Sequence, residues 1–186
     1  IARSHYLDRI DLKQFDAQDM PFADESFDVI IIFEAIYYIP SANKFLDECK
    51  RVLRSGGKVL LATANMDLYD FNPSPHSYTY YGVEGLNKLF GKHNFEVRCF
   101  GYMDIKKTNL KQKILRPIKK IVISLNLMPK TMRAKKLFKR FVFGKLVKMP
   151  KEIEVGMFEY HEPISLVLDS PNASFKVIYC EAILTR

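Results

Sequence analysis

From Phe27 to Phe33 the chain is apolar at every position but Asp28, and its β-branched content predicts a strand covered on both faces, as in parallel sheets. Upstream, Ile10 to Phe15 alternates imperfectly and stops at Asp16, which predicts a short strand. Downstream, Ser41 is placed to cap a helix whose apolar positions Phe45, Leu46, Cys49, Val52 and Leu53 recur at helical spacing, with Gly56-Gly57 as its stop. Lys58 to Ala64 then restarts as a buried strand. A turn-rich stretch from Asn65 to Tyr81, with Pro73 and Pro75, leads into a helix over Val83 to Lys92 bearing Leu86, Leu89 and Phe90, and Phe95 to Tyr102 reads as a further strand. Two more helical patterns, Leu110 to Leu127 and Met132 to Val147, are joined through Pro129, and a last strand is expected over Phe175 to Leu184.

Strands alternating with helices build an α/β fold: a mostly parallel, twisted, doubly wound sheet with helices on both faces. The expected division is a core over 1–104, a helical insertion or lid over 105–170, and a final core strand over 171–186. A chain of 186 residues, 48% hydrophobic and 13% aromatic, has enough apolar side chain for one domain with its own core. The longest apolar candidate, Val29 to Ile39, falls short of the roughly 18 residues a bilayer span needs and contains Glu34, so the expectation is a soluble or at most membrane-associated protein. Ile1 to Tyr6 has neither a basic flank with a long apolar run nor a small-residue cleavage site, and reads as a chain begun within a domain. Cys49, Cys99 and Cys180 are odd in number, widely separated and in no metal-ligand spacing; neither a disulfide framework nor a metal site is expected, and a reducing cytoplasm fits best.

Charge changes this picture in one place. The net charge of +8 comes wholly from residues 105–151, which hold 16 Lys and Arg and no acidic residue, leaving 13 basic against 21 acidic elsewhere. Three readings stand for this segment: attraction of an anionic acceptor, docking on an anionic membrane surface, or a solvated face opposite the apolar stripe Leu137, Phe138, Phe141, Val142 and Leu146 packed on the core. Nucleic acid is disfavoured as a partner because no recognition motif accompanies the basic residues.

The chemistry sits in linked blocks: Asp16-Ala17-Gln18-Asp19-Met20-Pro21-Phe22, Ser26-Phe27-Asp28-Val29-Ile30, Glu34-Ala35-Ile36-Tyr37-Tyr38-Ile39, Phe45-Leu46-Asp47-Glu48, Arg51-Val52-Leu53-Arg54 and Gly56-Gly57-Lys58-Val59-Leu60-Leu61. Their order and spacing resemble the middle of a class I, Rossmann-like S-adenosylmethionine-dependent methyltransferase of the small-molecule type, over roughly Ile10 to Asn65. The resemblance implies S-adenosylmethionine as cofactor, with Asp16 taking the adenine amino group, the Ala17 amide serving a ring nitrogen and Gln18 in the same turn. It also implies that Phe33 and Glu34 lie beside the methionine part, where open sheets bind ligands. The family's G-x-G-x-G turn and ribose-binding acid would precede this region. The eight glycines of the chain form no such turn, so the chain as it stands is expected to bind cofactor poorly and to be inactive.

Methyl transfer from a sulfonium is an in-line displacement, so positioning supplies much of the rate, and a base matters only when the acceptor must lose a proton. Tyr38 stands where many family members carry a His; with an ordinary pKa of about 10 it is a poor base, so Tyr37-Tyr38 are expected to position or stack an acceptor. Glu34, a carboxylate in an apolar run, is expected either to line the site or to pair with a nearby base. His76 and Tyr80, with Tyr78 and Tyr81 alongside, lie in the loop where such folds place acceptor-binding groups. His5, His93 and His161 receive no role. The expected function is methyl transfer to oxygen or nitrogen of a small-molecule or lipid- or sugar-linked acceptor; the alternative is a non-enzymatic basic interaction module on a degenerate methyltransferase scaffold.

Overall fold

The computed structural model describes residues 10–102, 104, 150, 152–157 and 159–185. The basic segment, its two predicted helices and its apolar stripe lie outside the described residues.

Five strands, β1 (Phe27–Phe33), β2 (Leu53–Ala64), β3 (Phe95–Gly101), β4 (Ile164–Ser165) and β5 (Val177–Leu184), form one sheet in the order β1-β2-β5-β3-β4. Two helices, α1 (Ala42–Val52) and α2 (Val83–Gly91), connect β1 to β2 and β2 to β3. β1 pairs with β2 in parallel, while β5 lies antiparallel to both β2 and β3. Hence β1, β2 and β3 run in one direction and β5 is reversed between them, so the sheet is mixed in its pairings. Ile164–Ser165 pairs with β3 from within the stretch expected to be an insertion.

Side chains in register share a face. Ile32, Val59, Leu61, Cys180, Ala182, Val97 and Cys99 fall on one face and make a single buried cluster with Leu46 and Cys49 of α1 and Leu86 and Phe90 of α2. The opposite face is open at β1, where Val29, Ile31 and Phe33 are 45%, 61% and 59% exposed. The expectation that this strand is covered on both faces is therefore corrected: among the described residues one face of β1 is open. An unbroken apolar run says that a strand can be buried on both faces, and does not say what covers it.

Ser41 caps α1 as expected, its side chain accepting from Lys44 N at 3.3 Å. The helix does not end on the glycines. It ends at Val52, and Leu53 is already extended. Gly56, at φ +72°, and Gly57 instead shape a bulge where the register jumps from Phe27↔Leu53 to Val29↔Lys58. A Cβ on Gly57 would lie 2.8 Å from the Arg54 carbonyl oxygen and 3.2 Å from that of Asp28.

Ile10–Phe15 is not a strand. The only pairing nearby is an isolated bridge between Asp16 and Asp19, and no described strand runs beside 10–15 to complete a ladder. Ile10 and Phe15 are exposed; Phe15 sets its ring edge-on to Phe22 at 5.1 Å. No described helix is long and apolar enough to cross a membrane.

Candidate functional site

Asp16 opens a tight turn. Its Oδ1 accepts from the Gln18 backbone N–H at 2.9 Å and from Gln18 Nε2 at 3.2 Å, while Asp19 N donates to the Asp16 carbonyl at 3.0 Å. The bond from the Gln18 backbone, followed by that from its side chain, holds the Asp16 carboxyl below its ordinary range, so it stays an ionised acceptor. The other end of the Gln18 side chain, Oε1, accepts from Ser41 N at 2.9 Å. Gln18 is thus a brace between this turn and the start of α1, with its amide committed at both ends.

A second brace comes from α1 itself. Arg51 donates to the carbonyls of Met20 (2.8 Å) and Phe22 (2.7 Å) and to Asp24 (2.8 Å), and Glu48 accepts from Met20 N at 2.7 Å while pairing with Arg51 at 2.7 Å. The hydrogen bonds from Arg51 are the main reason the Glu48 carboxyl is held down to about 2. Sequence reasoning gave neither residue a role; the available signal was an acid and a base three apart on one helix face.

At the carboxyl end of β1, Glu34 adopts φ +52°, a left-handed conformation that costs a non-glycine residue energy and marks a constrained position. Its N–H donates to the Ala62 carbonyl at 2.7 Å. Glu34 is exposed, just beyond the strand; its carboxylate accepts from Tyr37 Oη at 2.8 Å, so its partner here is a phenol. Burial first, and then the bond to Glu34, push the Tyr37 phenol well above its ordinary range, so it remains a proton donor.

Around this pair stands a wall of rings. Tyr37 stacks on Tyr80 at 4.5 Å and 25°, and meets Tyr38 edge-on at 4.6 Å; Phe71 closes against Tyr80 at 4.8 Å. Tyr80 Oη accepts from Ser74 N at 3.2 Å, and Tyr78 N donates to the Tyr37 carbonyl at 2.8 Å, fixing the long loop over the end of β1. Glu34, Tyr37, Tyr38 and Tyr80 are therefore brought together, with Tyr37 buried and Tyr38 half exposed. His76 does not join them by any described contact: it is exposed, and its backbone N–H donates to Ser74 Oγ at 3.4 Å. The Phe33 side chain points to the open face of the sheet.

The pairing of an ionised acceptor at Asp16 with the next backbone N–H, which donates to no group among the described residues, complements an adenine edge that offers an amino donor beside a ring-nitrogen acceptor. The donor set thus fits the adenine of S-adenosylmethionine.

The sheet order and the reversed β5 match the Rossmann-like fold of solved methyltransferases. Residues 1–61 match the family described as Methyltransferase domain. Over 53 residues the chain is 53% identical to a probable phthiotriol/phenolphthiotriol dimycocerosates methyltransferase of Mycobacterium ulcerans, covering 28% of this chain and 20% of that protein. It is 40% identical over 62 residues to a fatty-acid O-methyltransferase of Mycolicibacterium smegmatis, covering 33% of this chain and 23% of that one. The matched region thus spans about a fifth of the length of these relatives. Among solved structures, the complex of the Haloferax volcanii Trm112 methyltransferase activator with a putative methyltransferase matches with a TM-score of 0.53 at 13% identity, covering 92% of this chain and 60% of that one. The [4+2]-cyclase SpnF matches at 0.55 and 13% identity, covering 99% and 59%. At such identity the likeness speaks for the fold alone, and the second name shows that this fold also carries other chemistry.

Proposed function

We propose that the chain serves S-adenosylmethionine-dependent methyl transfer to a lipid-class acceptor at oxygen. The observation that carries this reading is the meeting of two loops: Gln18 ties the Asp16 turn to Ser41, at the end of the loop that starts at Glu34 and holds Tyr37 and Tyr38. A cofactor-holding turn and an acceptor-facing aromatic wall then share one edge of the sheet, at the carboxyl end of β1. The names of the two relatives, one for phthiotriol or phenolphthiotriol dimycocerosates and one for fatty acids, favour an apolar acceptor, as does a wall of Tyr37, Tyr38, Tyr80 and Phe71.

In this reading Asp16 and the Ala17 amide hold the adenine, and the Phe33–Glu34 backbone lies beside the methionine part. The cofactor supplies an electrophilic methyl group on sulfur. The chain's own work is to orient the acceptor in line with that methyl and to keep water away from it. A carboxylate acceptor is ionised at neutral pH and needs orientation alone. A hydroxyl acceptor must lose a proton, and the exposed Glu34 carboxylate, oriented by the Tyr37 hydroxyl, is the group placed to receive it. The basic stretch 105–151 gives the same reading a means of approach to an anionic membrane surface from the cytoplasmic side.

The test is to supply methyl-labelled cofactor, with fatty acids and hydroxylated lipids in detergent, to the protein as its gene encodes it. Labelled methyl ester or ether is the expected product. Cofactor binding without transfer to any acyl or hydroxyl lipid would exclude the acceptor class and leave the cofactor site standing.

A further inference from the structure

Cys99 and Cys180 are far apart in sequence and direct register partners in the antiparallel pair β3–β5. Two backbone bonds fix which kind of pair they form. Thr185 N donates to the Asn94 carbonyl at 2.9 Å, so the even-numbered positions of β3 face β5 with their hydrogen-bonding groups. Leu166 N donates to the Cys99 carbonyl at 2.8 Å, so the backbone of Cys99 faces β4 instead. Cys99 and Cys180 are therefore a non-hydrogen-bonded pair, the kind with Cα atoms about 4.5 Å apart and side chains closest, within the roughly 4.4–6.8 Å that a disulfide spans. Both side chains lie on the core face of the sheet, 1% and 3% exposed, as free thiols.

We propose that Cys99 and Cys180 are an oxidation site that closes reversibly to a cross-strand disulfide. With a hydroperoxide as oxidant, one thiolate attacks the peroxide oxygen to give a sulfenic acid and an alcohol, or water from hydrogen peroxide. The second thiol then displaces water, so two thiols lose two protons and two electrons to the peroxide and one S–S bond forms. Burial makes the step depend on local opening. The chain edge nearest Cys99 is suited to this, since β4 has only two residues and ends the sheet. The bond would fasten β3 to β5 at the two ends of the chain segment that contains the basic stretch. It stands independently of the methyl-transfer reading.

The test treats the protein with dilute hydrogen peroxide and, separately, refolds it from denaturant in a glutathione redox buffer, which exposes the thiols first. Each product is digested without reductant and read by mass spectrometry. The expected result is a Cys99–Cys180 linked peptide with Cys49 still free, reversed by dithiothreitol, and a melting temperature raised by roughly 10 °C for a loop of this size. Cys99→Ala and Cys180→Ala should each abolish both the linked peptide and the shift. Refolded protein with native circular dichroism and three free thiols, or with links through Cys49, would overturn the proposal.

Discussion

Tyr37 donates to the carboxylate of Glu34, whose backbone is left-handed, and the two residues differ in what they can give up. The phenol is kept protonated by burial and by its bond to the carboxylate, so its part is to orient and not to accept a proton. Tyr37→Phe keeps the stacked ring and removes the donor, and should cost about 1 kcal/mol of stability. If Glu34 receives a proton from a hydroxyl acceptor, the same change lowers kcat roughly tenfold with cofactor affinity unchanged. Steady-state kinetics beside calorimetric binding separate the two effects, and an unchanged kcat would reduce Tyr37 to packing. Tyr38, half exposed with its ring edge-on to Tyr37, should lose little in Tyr38→Phe, within about threefold in kcat/KM, because its hydroxyl has no described partner to orient. The positions of Glu34, just beyond β1, and of Asp16 and Ala17, in a turn that no described strand precedes, were legible in the linked blocks of sequence. The brace made by Gln18 was not, since it depends on Ser41, 23 residues away, and neither was the burial of Tyr37, which rests on a loop reaching Tyr80.

At the scale of elements, α1 does more than cover the sheet. Through Glu48 and Arg51 it holds the loop from Met20 to Asp24, which follows the Asp16 turn. Glu48 has a folded pKa of about 2 against an ordinary value of 4.5, so its contribution is complete above the ordinary carboxyl range and is lost as pH falls through about 2. Glu48→Gln should therefore flatten the acid limb of the stability curve below pH 4.5, measured by urea unfolding at stepped pH. The meeting of β3 with the approach to β5 gives a second prediction. A Cβ on Gly101 would overlap the ring of Phe175, which is buried and has little room to move. Gly101→Ala should cost roughly 1–3 kcal/mol, partly recovered by adding Phe175→Leu, as denaturant midpoints would show. Helical spacing and the Ser41 cap made α1 and α2 readable, and apolar runs did the same for the long strands. Ile10–Phe15 misled because a strand is defined by a neighbour, and alternation in one segment says nothing of whether a neighbour is there. Gly56-Gly57 misled in a similar way: two glycines suit both a helix stop and a bulge, and the register with β1 decided for the bulge.

Across the whole molecule, the direction of β1 and β2 sends the loops that follow them to one edge, where the braced Asp16 turn also lies. The apolar face of β1 that stays open among the described residues shows why the fold could not be read from pattern alone: an apolar run says that a face can be covered, not by what. Cys99 and Cys180 make the same point, since their spacing in sequence carried no signal and the topology sets them side by side. In the proposed function the Asp16 turn holds the adenine of the cofactor. The most direct test is calorimetric titration of S-adenosylhomocysteine into the protein as its gene encodes it, wild type beside Asp16→Ala. Saturable one-to-one binding, weakened roughly tenfold or more by losing a charged hydrogen-bond acceptor, is the predicted result. Binding by neither protein, or equal affinity in both, would contradict it.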